Sequence, residues 1–419
     1  MSVPEPLALP ELPDLSVSHS RFRTAGAYVH FPWCLAKCPY CDFVSWVEPG
    51  ADHRGYADAV IREIEARGEL FHRREIASVF FGGGTPSLWE PRELGRVLEA
   101  VRGKASACSA EIEVTVECNP TSLDEDKARA LVDVGVNRVS IGVQSLSDDR
   151  LRFLGRLHDA RGALTAVAGA LRAGVPRVSA DLIFGVADQT VGHAQSEAVA
   201  LADLGLGHVS CYQLTIESGT RFGELARRGR LPLADEGAVA EAFIAIEESL
   251  ATRGLSHYEV SNYARPGQEA RHNLGYWRGD EYLGFGCGAY GFARTDRAGA
   301  AACGARWRNA TRPELYVRGG LRSVTSPFAP QMDGQASPAS EDLDAETLLR
   351  ERIMLGLRLA GGLDLDRAAA DLKIEGWTPE RSRAAKRLEE RGRLVREGAI
   401  LRIPPKAWLW TDDTAASLF

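Results

Sequence analysis

What most restricts the fold of this chain is a rhythm: from residue 27 to about 265, short apolar runs alternate with stretches of helical spacing. The runs are Ala27–Phe31, Ser78–Phe81, Ile112–Val116, Arg138–Val143, Val178–Phe184, His208–Leu214 and Tyr258–Ser261. Helical spacing fills Tyr56–Leu70, Pro91–Val101, Asp124–Val134, Gly162–Ala173 and Glu236–Ala251 between them. Most runs lack in–out alternation, as expected where helices cover both faces of a parallel sheet. Six or more βα units in series allow a barrel or an open doubly wound sheet. Unusual residues follow successive strand ends: Cys34–Cys41 the first, Gly82–Ser87 the second, Glu117–Pro120 the third. Gln144 and Asp181 lie at or within the ends of the fourth and fifth. Chemistry gathered from many strand C-termini is the habit of barrels, whereas an open sheet concentrates it at one switch point. The expectation is an α/β fold, a partial or full (β/α) barrel over residues 26–265.

The flanks read differently. Residues 1–25 are Pro-rich and acidic, without the basic and apolar regions of a signal peptide, and read as a loose tail. Residues 266–322 form an extension, and 323–346, rich in Pro, Ser and acid, read as a linker. Residues 347–419 hold three helical patterns, then two short runs about Glu397-Gly398, a plausible hairpin turn. Helices followed by a hairpin predict a smaller winged-helix-like domain. Neither a dense basic face there nor the net charge of -7 recommends nucleic acid as a partner. No apolar stretch is long enough to cross a bilayer, so the chain is expected not to be integral to a membrane.

Of the eight cysteines, three fall within eight positions and five lie singly. Disulfide frameworks belong mainly to short secreted chains, so this pattern predicts a reducing cytoplasm and a metal site. HFPWCLAKCPYCDF sets Cys34, Cys38 and Cys41 at C-x3-C-x2-C spacing on the loop after the first strand. Thiolates select zinc or iron–sulfur centres. Structural zinc needs four closed ligands, and only His30 lies near enough to be the fourth. A [4Fe-4S] cube usually takes four thiolates, so three leave one iron open for an exogenous chelating ligand. The spacing is the signature of the radical S-adenosylmethionine (SAM) proteins, in which the amino and carboxylate groups of SAM fill that corner.

SAM also offers a ribose diol and an adenine, and each needs polar partners. FFGGGTPS, Phe80–Ser87, has glycines that allow close backbone approach, though a tight βα turn would use them equally well. Glu117 can accept from an ammonium or ribose hydroxyls, or serve only as an N-terminal charge on the next helix. Arg156 can pair with a carboxylate or form a surface ion pair. Asp181 stands in an otherwise apolar strand, where an inward charge needs a partner or ligand.

Together these residues resemble the oxygen-independent coproporphyrinogen III oxidase-like radical SAM proteins from about Ala27 to the C-terminus. AYVHFPWCLAKCPYCDF matches the family's opening, and FFGGGTPS, VECNP, RVSIGVQS, LGRLH, DLIFG and CYQLTIESGT follow in its order. The resemblance implies that Tyr28, Gly83 and Glu117 contact the cluster-bound SAM. It places Tyr40, Gly84, Thr85, Gln144, Arg156 and Asp181 at positions that line the space for a second SAM in the oxidase. Coproporphyrinogen dehydrogenases carry a fourth cysteine two residues after the third, where this chain has Phe43. That substitution, YEVSNYA (258–264) and HNLGYW (272–277) resemble the heme-chaperone group of the family instead. The resemblance therefore implies heme binding and transfer to an acceptor protein, with the cluster and SAM in support and an electron donor as a further partner. The alternatives are radical oxidative decarboxylation of coproporphyrinogen III, or radical chemistry on another substrate. His272 is the expected iron ligand, with Tyr276 and Trp277 against the porphyrin face; a buried, hydrogen-bonded histidine is its other reading. Where the family commonly has a further histidine, GFGCGAYG carries Tyr290, beside Cys287.

Overall fold

The computed structural model describes residues 23–295, 301, 303–318 and 339–419. Most of the expected N-terminal tail and residues 323–338 of the expected linker lie outside the described residues. The first six strands are β1 (Arg23–Phe31), β2 (Arg74–Gly83), β3 (Ala107–Cys118), β4 (Arg138–Gln144), β5 (Arg177–Phe184) and β6 (His208–Gln213). They pair in chain order, all parallel. Val29, Phe31, Val79, Phe81, Val114, Val116, Val139, Ile141, Ala180 and Val209 are buried in one apolar core with the covering helices. Four of those helices start where an aspartate caps them: Asp52, Asp124, Asp159 and Asp235 each accept an N–H of the first turn. Such a cap contributes about 1 kcal/mol.

The parallel register also aligns polar residues on the inner side. Glu117 stands opposite Ser140, Ser140 opposite Ser179, and Asp181 opposite Ser210. An interior with this many hydroxyl and carboxylate groups requires hydrogen-bonding partners or a polar ligand.

The expected seventh strand is a hairpin, β7 (Ser256–Glu259) and β8 (Asn262–Ala264), with β8 antiparallel to β6. Two residues between the strands are too few for a parallel crossover, which takes a dozen or more. At the other edge β9 (Glu281–Phe285) runs parallel to β1, and β10 (Tyr290–Thr295), β11 (Cys303–Arg308) and β12 (Ala339–Leu343) follow antiparallel. The 12-stranded sheet has β12 at one edge and β7 at the other, so the barrel is partial. The extension therefore continues the main sheet, and Ala339–Leu343, expected within the linker, is its edge strand.

Helix Arg271–Arg278, which carries HNLGYW, lies against β1, β2 and β9. The Glu113 carboxylate accepts the backbone N–H groups of Arg271 at 3.1 Å and His272 at 3.0 Å, and so caps the helix from β3. Gly26 makes room for it, since a Cβ there would come within 2.9 Å of the His272 ring. The C-terminal domain has helices Ala345–Gly356, Leu365–Leu372 and Pro379–Glu390. A three-stranded sheet accompanies them, formed by β13 (Leu363–Asp364), β14 (Val395–Glu397) and β15 (Ile400–Arg402).

Candidate cluster and cofactor site

The cysteine loop is closed at its base by two backbone bonds, Cys34 N–H to Trp46 O at 2.9 Å and Trp46 N–H to Pro32 O at 2.7 Å. Buried Trp33 anchors it against Tyr56 and His53 and donates to Glu48 at 2.9 Å. His30 holds it from beneath. Its Nε2 is 2.7 Å from the Val44 carbonyl, which can only accept, so the proton sits there; Nδ1 then accepts from the Tyr28 hydroxyl at 3.0 Å. Burial pushes the His30 pKa down to about 4, keeping the ring neutral. With both nitrogens engaged, His30 is no fourth zinc ligand.

The three thiols are half-buried. Cys34 Sγ accepts from Thr85 Oγ1 at 3.4 Å, and Cys38 Sγ faces the Arg156 guanidinium at 3.5 Å. Among the described residues no three Cys, His, Asp or Glu side chains converge on a point that could hold a single ion. A cubane binds each thiolate on a different iron, so it needs no such convergence. This donor set fits a [4Fe-4S] cluster better than mononuclear zinc.

The glycine turn brings β2 onto this loop. Gly84 N–H donates to Phe31 O at 2.7 Å and Thr85 N–H to Trp33 O at 2.8 Å. A Cβ on Gly84 would sit 2.6 Å from the Trp33 carbonyl oxygen, and Gly83 has φ +111° with the His30 ring 2.5 Å from its missing Cβ. Both positions exclude other residues.

A cavity of about 440 Å³ opens in front of the loop. It is lined by Cys34, Cys38, Tyr40, Cys41, Gly83, Gly84, Thr85, Glu117, Gln144, Arg156 and Asp181, all expected site residues. Its size is that of a small-molecule pocket. Glu117 accepts from Gly83 N–H at 3.0 Å; burial raises its pKa to about 7 against that hydrogen bond, with Asp181 adding to the rise. Asp181 accepts from Ser140 Oγ at 3.0 Å, and burial raises its pKa as well. Arg156 donates to the Gly142 carbonyl at 3.0 Å, while its Nε is buried without a partner. Thr115 Oγ1 and His208 Nδ1, both on the lining, are likewise unpartnered. Buried polar atoms left unpaired around one cavity mark where a polar ligand's groups belong. Gln144 closes β4 with φ +67°, a strained conformation for a side chain of its type.

Two expected site residues lie outside this lining. Tyr28 turns its hydroxyl to His30 and stacks near Phe80, with ring centroids 6.2 Å apart. His272 is 3% exposed, with Nδ1 2.8 Å from Ser78 Oγ and Nε2 2.9 Å from Tyr276 OH. Burial lowers its pKa to about 3. The lining also includes Thr115, Arg138, His208, Ser210 and Tyr212, which sequence reasoning did not single out. Their signal was available: polar residues recurring inside otherwise apolar strands.

A partial (β/α) barrel with an open-cornered cysteine site above a polar cavity defines a radical SAM protein. A model described as the radical SAM superfamily matches residues 28–196, and one described as the HemN C-terminal domain matches 343–410. The chain is 33% identical over 363 residues to the heme chaperone HemW of Mycobacterium tuberculosis, covering 86% of this chain and 87% of that protein. It is 37% identical over 341 residues to the mitochondrial radical S-adenosyl methionine domain-containing protein 1 of Bos taurus, covering 81% and 74%. The solved coproporphyrinogen III oxidase HemN of Escherichia coli shares the fold, with TM-score 0.74 at 19% identity over 95% of this chain and 90% of that one. The chain belongs to the HemW family of radical SAM proteins.

Proposed function

We propose that this protein binds heme in the cytoplasm and hands it to an acceptor protein, with a [4Fe-4S] cluster and SAM in support. Position 43 carries the reading. Phe43 stands two residues after Cys41, where the dehydrogenases of the wider family have a fourth cysteine, and its ring is 58% exposed beside the cavity. An exposed phenyl supplies no ligand and no proton.

Cys34, Cys38 and Cys41 would hold the cluster, which when bound supplies one electron, from a donor protein, to the SAM sulfonium. Gly83 and Glu117 would meet the SAM ammonium or ribose. Arg156 supplies the cation for a carboxylate and offsets the charge of the Cys38 thiolate. Tyr40, Gly84, Thr85, Gln144 and Asp181 bound the rest of the cavity and leave room for more than one arrangement of ligand. Among the described residues no helix is long and apolar enough to cross a membrane.

His272 is the heme-iron ligand in this reading. Both its nitrogens are occupied, so ligation requires that Tyr276 or Ser78 give way first. Cys287 is fully buried and burial pushes its thiol pKa up to about 12, which disfavours a thiolate; Tyr290 is exposed, with the Arg308 guanidinium 4.9 Å from its ring centroid. Anaerobically reconstituted protein is expected to give a Soret shift with heme, lost or strongly weakened in His272→Ala, and no turnover of coproporphyrinogen III. Formation of protoporphyrinogen IX would overturn the chaperone reading.

A further inference from the structure

A second cavity, of about 340 Å³, lies between the outer strands of the sheet and the C-terminal domain. Its walls differ from those of the first. Tyr276, Tyr282 and Phe292 line the sheet side and Leu348, Met354 and Leu355 the helix side, so most of the surface is apolar. Three guanidiniums, Arg294, Arg306 and Arg352, enter it against two carboxylates, Asp280 and Glu351. The charges are unevenly matched. Glu351 pairs with Arg306, which Glu341 also holds, and Arg352 bonds the Ala368 carbonyl at 3.1 Å and reaches Asp371 at 3.4 Å. Among the described residues Arg294 forms no ion pair of this kind. Burial first, then Arg352 and Arg23, lower its pKa; Glu281 opposes that fall but is already bidentate with Arg74, and Asp371 and Asp280 are the other carboxylates whose charge it feels. A largely buried guanidinium among other cations, facing an apolar cavity, is costly unless an anion completes it.

The position of Tyr276 adds a second observation. Its hydroxyl meets His272 Nε2 on one side, while its ring lines this cavity on the other. One side chain therefore separates the expected iron ligand from the cavity.

We propose that this cavity receives the carboxylate-bearing edge of a flat apolar ligand, with Arg294 as its principal anion partner and Arg352 beside it. On the heme reading above, on which this assignment rests, the ligand is heme and the edge is its two propionates. Withdrawal of the Tyr276 ring would open the way from the cavity to His272. The ligand site then belongs to both the sheet extension and the C-terminal domain, remote from the cysteine loop, so cluster and heme occupy different sites on one chain.

The test uses the full, anaerobically reconstituted chain, titrated in the Soret band with heme and with heme dimethyl ester, which lacks the carboxylates. Two variants probe opposite walls: Arg294→Gln removes the charge at similar size, and Met354→Trp fills space from a partly exposed position on the helix. The expected result is a roughly tenfold or larger loss of heme affinity in each, the scale of one charge-assisted hydrogen bond or a blocked pocket. Affinity for the ester should respond to Met354→Trp and not to Arg294→Gln. Unchanged heme affinity in both variants, with binding by the unaltered protein intact, overturns the cavity assignment alone. No Soret shift in the unaltered protein overturns the heme reading and this assignment with it.

Discussion

Tyr276→Phe should bind heme more tightly than the unaltered protein. The Tyr276 hydroxyl satisfies His272 Nε2 at 2.9 Å, in a site where the His272 residue is 3% exposed and its pKa is pushed down by burial to about 3. A neutral imidazole needs no deprotonation to ligate iron, so the barrier is this hydrogen bond. Removing its partner leaves a buried nitrogen unsatisfied, at a cost of about 1–3 kcal/mol to the closed form. If Nε2 is the iron ligand, the heme-bound form does not bear that cost, and the apparent affinity rises by roughly 5- to 150-fold. Ser78→Ala is the control. Its hydroxyl lies 2.8 Å from Nδ1, the nitrogen that stays free to hydrogen-bond when Nε2 binds iron. Heme affinity in that variant should be unchanged or lower. Soret titration of the anaerobic protein gives both constants. A Tyr276→Phe affinity equal to or weaker than that of the unaltered chain would refute the gating argument.

Three other outcomes follow from the geometry. Glu63 accepts from Arg67 at 2.7 Å, Tyr316 at 2.5 Å, Gly286 N–H at 2.8 Å and Asn309 at 2.7 Å, all buried. Glu63→Gln should therefore cost about 3–5 kcal/mol in urea unfolding, because Arg67 is left as an uncompensated buried charge; a cost below about 1 kcal/mol would contradict it. Gly84→Ala should sharply lower the iron retained per chain after reconstitution, since the added methyl meets the Trp33 carbonyl and pushes the cysteine loop away; full iron content would show that the loop yields without cost. His30, with a folded pKa of about 4 against an unfolded value near 6.5, gives a pH dependence. Between these values the unfolded chain binds the extra proton, so stability falls as pH drops through about 6.5 and levels off below the folded value, by up to about 3 kcal/mol. In His30→Gln the fall measured by urea unfolding between pH 7 and 4 should shrink by that amount; an unchanged slope would assign it to other groups.

Much of the fold and of the candidate site was legible in the sequence. The six parallel strands could be read because each is a short apolar run between helices, and the cysteine loop, Gly83, Gly84, Glu117, Gln144 and Asp181 because they interrupt that pattern at strand ends. Thr115 and Ser210 were missed because they sit inside strands, where only the inward turn of the pleat separates a cavity-facing hydroxyl from one under a helix, and Arg138 and His208 because they open β4 and β6, far from the strand ends where the other site residues gather. The β7–β8 hairpin was misread as a single strand because its turn residues are themselves β-compatible, and the edge strand Ala339–Leu343 was hidden by an acidic, polar composition that an edge tolerates.

The spacing of three cysteines determined by itself that a thiolate metal site belongs on the first loop, because the number and type of ligands are covalent properties of the chain; that His30 is no fourth ligand was decided by its packing against Tyr28 and Val44. Where the other functional groups act was decided only by tertiary structure. His272 shares one helix turn with Tyr276, but only packing brings Ser78 of β2 to its other nitrogen, so that both nitrogens are taken. Arg294, Arg306 and Arg352 come from three separated elements and meet at one cavity because β10, β11 and helix Ala345–Gly356 pack together. Access, burial and charge balance depend on which surfaces the fold brings into contact, and these are properties of the packed chain.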